Sequence, residues 1–192
     1  SIWYTPVTGI WQTVWLETVN IGHIENINPV AGIDNNMISI ETGVKDAKEG
    51  DQLKISISEG GNNISEQIIN AGAIAEVKLK DAKRWSPANP FLYDLKIQLV
   101  RNGQVLDEVG SYFAMRKISL SPDKNGVQRL MLNNEFLFQF GMLDQGWWPD
   151  GLYTAATDEA LQYDIVKARE MGFNMLRKHV KVEPARWYYH CD

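Results

Sequence analysis

The sequence is poor in the features that narrow a function fastest. Its single cysteine, Cys191, excludes an internal disulfide framework and leaves the redox compartment open; the residue reads as a small buried side chain. Basic residues are outnumbered, 19 Lys and Arg against 24 Asp and Glu for a net charge of −5. They also stand singly, so no face offers the cationic surface that a nucleic-acid backbone requires, and nucleic acid is excluded as a partner. No apolar run approaches the roughly 18 to 20 residues that cross a bilayer, so no membrane-spanning helix and no membrane partner is expected. The opening Ser1-Ile2-Trp3-Tyr4-Thr5-Pro6 lacks a charged region followed by an apolar one, the mark of a targeting signal. No metal and no cofactor is called for.

What the chain does have is 192 residues, 44% of them hydrophobic, enough for one large or two small domains with a sizeable core. Ile10 to Glu17 is rich in aromatic and β-branched residues and too short for a convincing helix, so it reads as a strand. From about residue 20 to residue 118, short segments of alternating polarity are separated by Gly, Asn and Asp clusters, the pattern of an antiparallel sandwich. Leu53 to Ser58 alternates strictly and can bury one face only. Ile38, Ile40, Thr42 and Val44 share a second face, and Ala75, Val77 and Leu79 a third. Leu95–Val100 and Val105–Val109 flank Arg101-Asn102-Gly103-Gln104, and Asn-Gly readily supplies the two positive φ angles of a type I′ hairpin. Trp85, Tyr93 and Tyr112 fall in or beside strands and read as core residues.

Tyr112 to Leu120 closes the strand-rich region, and Ser121 to Gly126 reads as a polar linker at a domain boundary. The periodicity then changes. Phe136 to Gly141 is a continuous apolar run, as expected of a strand buried on both faces. Thr157 is placed to cap a helix, Asp158 and Glu159 to complement its dipole, and Leu161, Ile165 and Ala168 to form its inner stripe, with Gly172 just past its end. Phe173 to Arg177 reads as the next strand, and Pro184 suits the start of another helix over Ala185 to Cys191. Strand, helix, strand, helix is the βα pattern of a parallel sheet. Two parallel strands leave open edges and an uncovered face, so the sequence is expected to be a segment, with one domain before Ser1 and most of another after Asp192.

Three segments, in order, resemble the family 2 glycoside hydrolases, the group of β-galactosidases, β-glucuronidases and β-mannosidases. Gly9 to Glu17 resembles the last strand of that family's sugar-binding jelly roll. Trp85-Ser86-Pro87-Ala88-Asn89-Pro90-Phe91-Leu92-Tyr93-Asp94-Leu95 resembles the motif opening the last hairpin of its immunoglobulin-like domain. Leu132-Asn133-Asn134 onward, through the helix to Phe173-Asn174-Met175-Leu176-Arg177-Lys178-His179, resembles the start of its barrel. His179 comes one position earlier than in the family pattern, and Val180-Lys181 stands where Tyr-Pro is usual, so Arg177 matches better than His179. The resemblance implies a mainly β chain: an immunoglobulin-like β-sandwich followed by the first βα units of a truncated (β/α)8 TIM barrel. Residues 1–18 would be the jelly-roll strand, 19–119 the sandwich and 120–192 the beginning of the barrel.

It also implies a retaining, exo-acting, β-galactosidase-like hydrolase acting on O-glycosidic bonds with two carboxylates about 5 to 5.5 Å apart. In the family the acid/base Glu follows an Asn on the fourth barrel strand and the nucleophile lies further on, so no catalytic residue is expected here. Of the acidic residues near the strand ends, Asp144, Asp150, Glu159 and Glu183, no two are expected to pair. Barrel active sites lie at the C-terminal ends of the strands. That makes Arg177, His179, Asp144 and Trp148 the candidate substrate-binding residues: Arg177 through its planar donor fork, Trp148 by stacking on a pyranose ring. The alternatives are an Arg177 paired with a rim carboxylate, a His179 satisfied in the core, and a Trp148 that caps the rim; packing is favoured for Trp147. The partner expected is a β-glycoside, held by a parent enzyme in which this segment is itself inert. Apolar strands with open edges need cover, either from the N-terminal segment with Trp11 and Trp15 or from a second copy, and a homodimer is expected. A second reading is a non-catalytic carbohydrate-binding or adhesive β-sandwich with helices that cap it.

Overall fold

The computed structural model describes residues 4–192 and divides the chain into two compact units. One is Glu17–Leu137; the other joins the N-terminal segment through Leu16 to Phe138–Asp192. The three residues before Tyr4, part of the segment assigned to a jelly-roll strand, lie outside the described residues.

The unit Glu17–Leu137 is built on a β-sandwich, as the alternating segments require. β1 (His23–Gly32), β2 (Met37–Lys45) and β5 (Ala75–Lys78) form one antiparallel sheet in the order β1-β2-β5. β3 (Gln52–Glu59), β4 (Asn62–Asn70), β6 (Tyr93–Arg101) and β7 (Gln104–Phe113) form the other in the order β4-β3-β6-β7. Leu53, Ile55 and Ile57 lie opposite Leu99, Ile97 and Leu95, all buried, and Ile38 and Ile40 lie opposite Val77 and Ala75 in the facing sheet. These residues share one apolar cluster with Tyr93, Phe113 and Met115. Each fully buried Ile or Leu contributes about 1.5–3 kcal/mol of transfer free energy, which makes this cluster the main source of cohesion in the unit. Tyr93 stacks on Phe113 at 5.2 Å and satisfies its hydroxyl by accepting from the Lys83 N–H at 2.7 Å. Trp85 and Tyr112 are half-buried rather than core. Asn102 and Gly103 turn the β6–β7 hairpin with φ of 51° and 76°.

The polar stretch Ser121 to Gly126 is not a linker. β8 (Ile118–Pro122) and β9 (Gln128–Leu132) pair across it as a second Asn-Gly hairpin, and β10 (Glu135–Phe136) adds a third strand after the Asn133-Asn134 turn. The Asp123 carboxylate folds the turn by accepting from the N–H groups of Asn125 (2.8 Å) and Val127 (3.0 Å). Asn133 ties this sheet to the sandwich, donating to Trp85 O at 2.9 Å and accepting from the Lys117 N–H at 3.0 Å.

In the other unit, β11 (Gly141–Asp144) and β12 (Met175–Lys178) pair in parallel, joined by α1 (Asp158–Glu170) and followed by α2 (Ala185–Cys191). Thr157 caps α1 by accepting from the Ala160 N–H at 3.2 Å, and the Gly172 N–H closes its last turn on Arg169 O at 2.9 Å. Ala168 is the buried residue of the helix stripe, with Leu161 and Ile165 half-buried. Cys191, expected to be buried, is half-exposed.

Two sequence expectations fail at the segments that lead into this unit. Ile10 to Glu17 forms no strand: β propensity alone cannot hold an extended segment without a ladder, and none of the described strands pairs with it. The apolar run Phe136–Gly141 is not a doubly buried strand either. Phe136 belongs to β10, the parallel pairing starts only at Gly141, and Phe136, Phe138 and Phe140 are all more than half exposed. Asn174 holds the connecting residues instead, donating from Nδ2 to Phe138 O at 2.9 Å and accepting from the Phe140 N–H at 2.8 Å.

Candidate functional site

Side chains alternate across β11 and β12, so residues at matching register share a face. Leu143 lies opposite Arg177, and Asp144 opposite Lys178. The first pair is exposed; the second enters a cluster of charges at the C-terminal strand ends.

Lys178 donates from Nζ to Asp144 Oδ2 at 2.6 Å and to Glu183 Oε1 at 2.8 Å, and sits 4.4 Å over the Trp187 ring. Lys181 reaches the same Glu183 oxygen at 3.1 Å and also donates to the carbonyls of Gly146 and Tyr153, each at 2.7 Å. The side chains of Lys181 and Glu183 are 1% and 2% exposed. Such burial is tolerated because two ammonium groups meet two carboxylates and the lysine protons find acceptors. Burial pushes the Lys181 ammonium below the usual lysine range, against the opposing pull of Glu183. Burial, and then Asp144, push the nearby Asp164 carboxyl upward.

Local backbone geometry explains how residues three and five apart converge. Val180 sits at φ 57°, a left-handed conformation that costs a β-branched residue on the order of 1–2 kcal/mol, and this reversal breaks the strand alternation after His179. Gly146 lies against the cluster at φ 61°: a Cβ there would stand 2.1 Å from Glu183 Oε1. Its N–H donates to Asp144 Oδ1 at 2.8 Å, closing the start of the loop onto the strand end.

That loop, Gln145–Thr154, carries the paired tryptophans. Trp147 stacks on Tyr4 with centroids 4.3 Å apart and meets Tyr153 edge-on at 6.1 Å, so it packs, as favoured from sequence. Trp11 meets Tyr153 edge-on at 4.7 Å and lies over Lys181 at 5.4 Å, so the N-terminal segment covers part of this loop. Trp148 is half-buried; its backbone bridges Leu152, and its indole N–H is buried with no acceptor among the described residues.

Among the candidate binding residues, Arg177 is exposed and its guanidinium has no partner among the described residues; the ion pair with a rim carboxylate is not formed. His179 is half-buried: its N–H donates to Asp144 O at 2.9 Å, extending the parallel ladder, while its ring has no hydrogen-bond partner among the described residues. Asp144 is committed to Lys178 and Gly146. Of the four acidic residues weighed as a catalytic pair, Asp144 and Glu183 come together, but only by sharing the Lys178 ammonium. Two lysines hold them, which makes them a neutralised ion cluster rather than a free acid and nucleophile. Asp150 and Glu159 stay exposed and apart from it. Lys181 is the residue that sequence reasoning missed, although a charge among apolar residues just past a strand end was a usable signal. Among the described residues no cluster of three or more His, Cys, Asp or Glu is arranged to hold a metal, and no helix is long and apolar enough to cross a membrane.

The chain thus joins a β-sandwich unit to an α/β unit whose parallel strand pair gathers loops at its C-terminal end. Residues 23–116 match the family described as glycosyl hydrolases family 2. A β-galactosidase of Oenococcus oeni is 32% identical over 120 residues, 62% of this chain and 11% of its own length. One of Vibrio vulnificus (strain YJ016) is 25% identical over all of this chain and 20% of its own length. The solved β-glycosidase of Bacteroides vulgatus shares the fold at a TM-score of 0.78 and 21% identity, covering 90% of this chain and 23% of that one. Through residues 23–116 the chain belongs to the family 2 glycosyl hydrolases. It spans between 11% and 26% of the length of the curated relatives it matches.

Proposed function

We propose that the chain is a segment of a retaining, exo-acting β-glycosidase, β-galactosidase-like in its substrate, and that it supplies scaffold and part of the pocket wall without the catalytic carboxylates. The sandwich is read as the immunoglobulin-like domain, and β11-α1-β12-α2 as the first units of a (β/α)8 barrel whose active face lies at the C-terminal strand ends. The observation that carries this reading is the parallel pairing of β11 with β12, with Arg177 exposed at the strand end and its guanidinium without a partner among the described residues. A sugar-binding or adhesive sandwich has no need of such a unit, and the β-galactosidase of Vibrio vulnificus aligns through it.

In this reading Arg177 holds a sugar hydroxyl or orients a carboxylate supplied by a later strand. His179 lies beside it, Trp148 forms part of the rim, and Asp144 acts indirectly, by fixing Lys178. The test is hydrolysis of aryl β-galactoside, β-glucuronide and β-mannoside by the complete protein, with the anomeric configuration followed by NMR. Turnover with retention supports the reading; absence of turnover on all three, or inversion, refutes it.

A further inference from the structure

We propose that Lys181 is a positioning residue for the sugar pocket: locked to Glu183, it holds the loop Gln145–Thr154 at both ends and so fixes the aromatic rim that the loop carries. The inference deepens the β-glycosidase reading and rests on it for its effect on substrate.

Lys181 Nζ binds Gly146 O at the beginning of the loop and Tyr153 O at its end, both at 2.7 Å. One ammonium therefore closes the loop across its base. The side chain is 1% exposed, so the ammonium is held by these protein acceptors rather than by bulk water. Glu183, 3.1 Å away and itself held by Lys178, supplies the opposite charge that makes the buried ammonium tolerable. The aromatic contacts rest on the same point, since Lys181 lies 4.6 Å from the Tyr153 centroid, and Tyr153 is the ring against which both Trp11 and Trp147 pack. Gly146 leaves no room for a side chain between loop and cluster, so the closed arrangement is specified from both sides.

A residue that orders a loop without touching the reacting atoms should weaken substrate binding more than the chemical step. The experiment uses the complete protein with Lys181→Met and Lys181→Arg. Lys181→Met keeps the stem and leaves Glu183 paired with Lys178, so the cluster stays neutral to within one charge. For Lys181→Met, hydrogen exchange read by mass spectrometry should speed up at least about tenfold in the peptide covering residues 145–154, with the sandwich unchanged. KM for the aryl β-glycoside should rise about tenfold while kcat stays within about threefold. Lys181→Arg should restore part of both. Wild-type exchange in 145–154 for Lys181→Met overturns the proposal, and so does faster exchange with KM unchanged. If the wild-type protein hydrolyses none of the glycosides, the β-glycosidase reading fails, whereas the exchange measurement still decides whether Lys181 holds the loop.

Discussion

Arg101 grips Asp51 with two parallel hydrogen bonds, Nε to Oδ1 at 2.7 Å and Nη2 to Oδ2 at 2.8 Å, joining the end of β6 to the loop before β3. The Asp51 side chain is fully buried and also accepts from the Lys48 N–H at 2.8 Å. Arg101 first, and then the Lys48 N–H, hold its pKa down at about 2, against an ordinary value of 3.8. A depressed carboxylate pKa gives stability that is present above the unfolded value and lost as pH falls toward the folded one. Arg101→Met should therefore lower the melting temperature at pH 6, and its deficit against wild type should shrink between pH 4 and pH 2. A deficit that is constant over that range would mean that the pair contributes packing rather than charge.

Gly146 and Gly172 both lie at positive φ, 61° and 88°, but only Gly146 faces a neighbour. Gly172→Ala should cost about 1 kcal/mol, the left-handed penalty alone. Gly146→Ala adds a Cβ against Glu183 and should cost on the order of 3 kcal/mol, read by chemical denaturation as loss of the parallel unit. Equal costs would place the charge cluster away from the loop in solution.

Arg177 is exposed and its side chain makes no hydrogen bond or ion pair among the described residues, so its removal separates function from folding. In the complete protein Arg177→Ala should reduce kcat/KM by about 100-fold, roughly 3 kcal/mol of transition-state stabilisation, with little change in melting temperature. An unchanged kcat/KM would remove Arg177 from the pocket.

Phe138 and Phe140 are 69% and 53% exposed and Leu143 is 53% exposed, close together on the approach to and along β11. Trp11 covers the loop side of this unit but leaves those residues open. The 192-residue chain should therefore be at least a dimer by multi-angle light scattering at micromolar concentration. A mass of 21.8 kDa would show that they are tolerated in water by a monomer.

The sandwich was legible because its signal is local and repeated. Leu53, Ile55 and Ile57 alternate with polar residues, and a one-residue slip would turn all three to solvent. The helix α1 was legible from Thr157 and Gly172 for the same reason. Ile10 to Glu17 misled because its residue types favour strands while the partner that makes a strand is not written in the segment. Asn125-Gly126 carried the hairpin signal that Asn102-Gly103 carried, but its flanks, Ile118–Pro122 and Gln128–Leu132, are half polar and lack a strongly buried face. The charge cluster was hardest to see. Lys181 is buried only because a loop 28 and 35 residues earlier in the chain brings two carbonyls to it, and no local pattern encodes that closure.

Whether this segment shapes a glycosidase pocket without holding its catalytic pair is decided by comparing the 192-residue chain with the complete protein on aryl β-galactoside, β-glucuronide and β-mannoside. Turnover is expected from the complete protein and only the buffer rate from the chain. Turnover by the chain that is lost on Asp144→Asn or Glu183→Gln would contradict it, because the two carboxylates held by Lys178 would then be doing the chemistry assigned elsewhere.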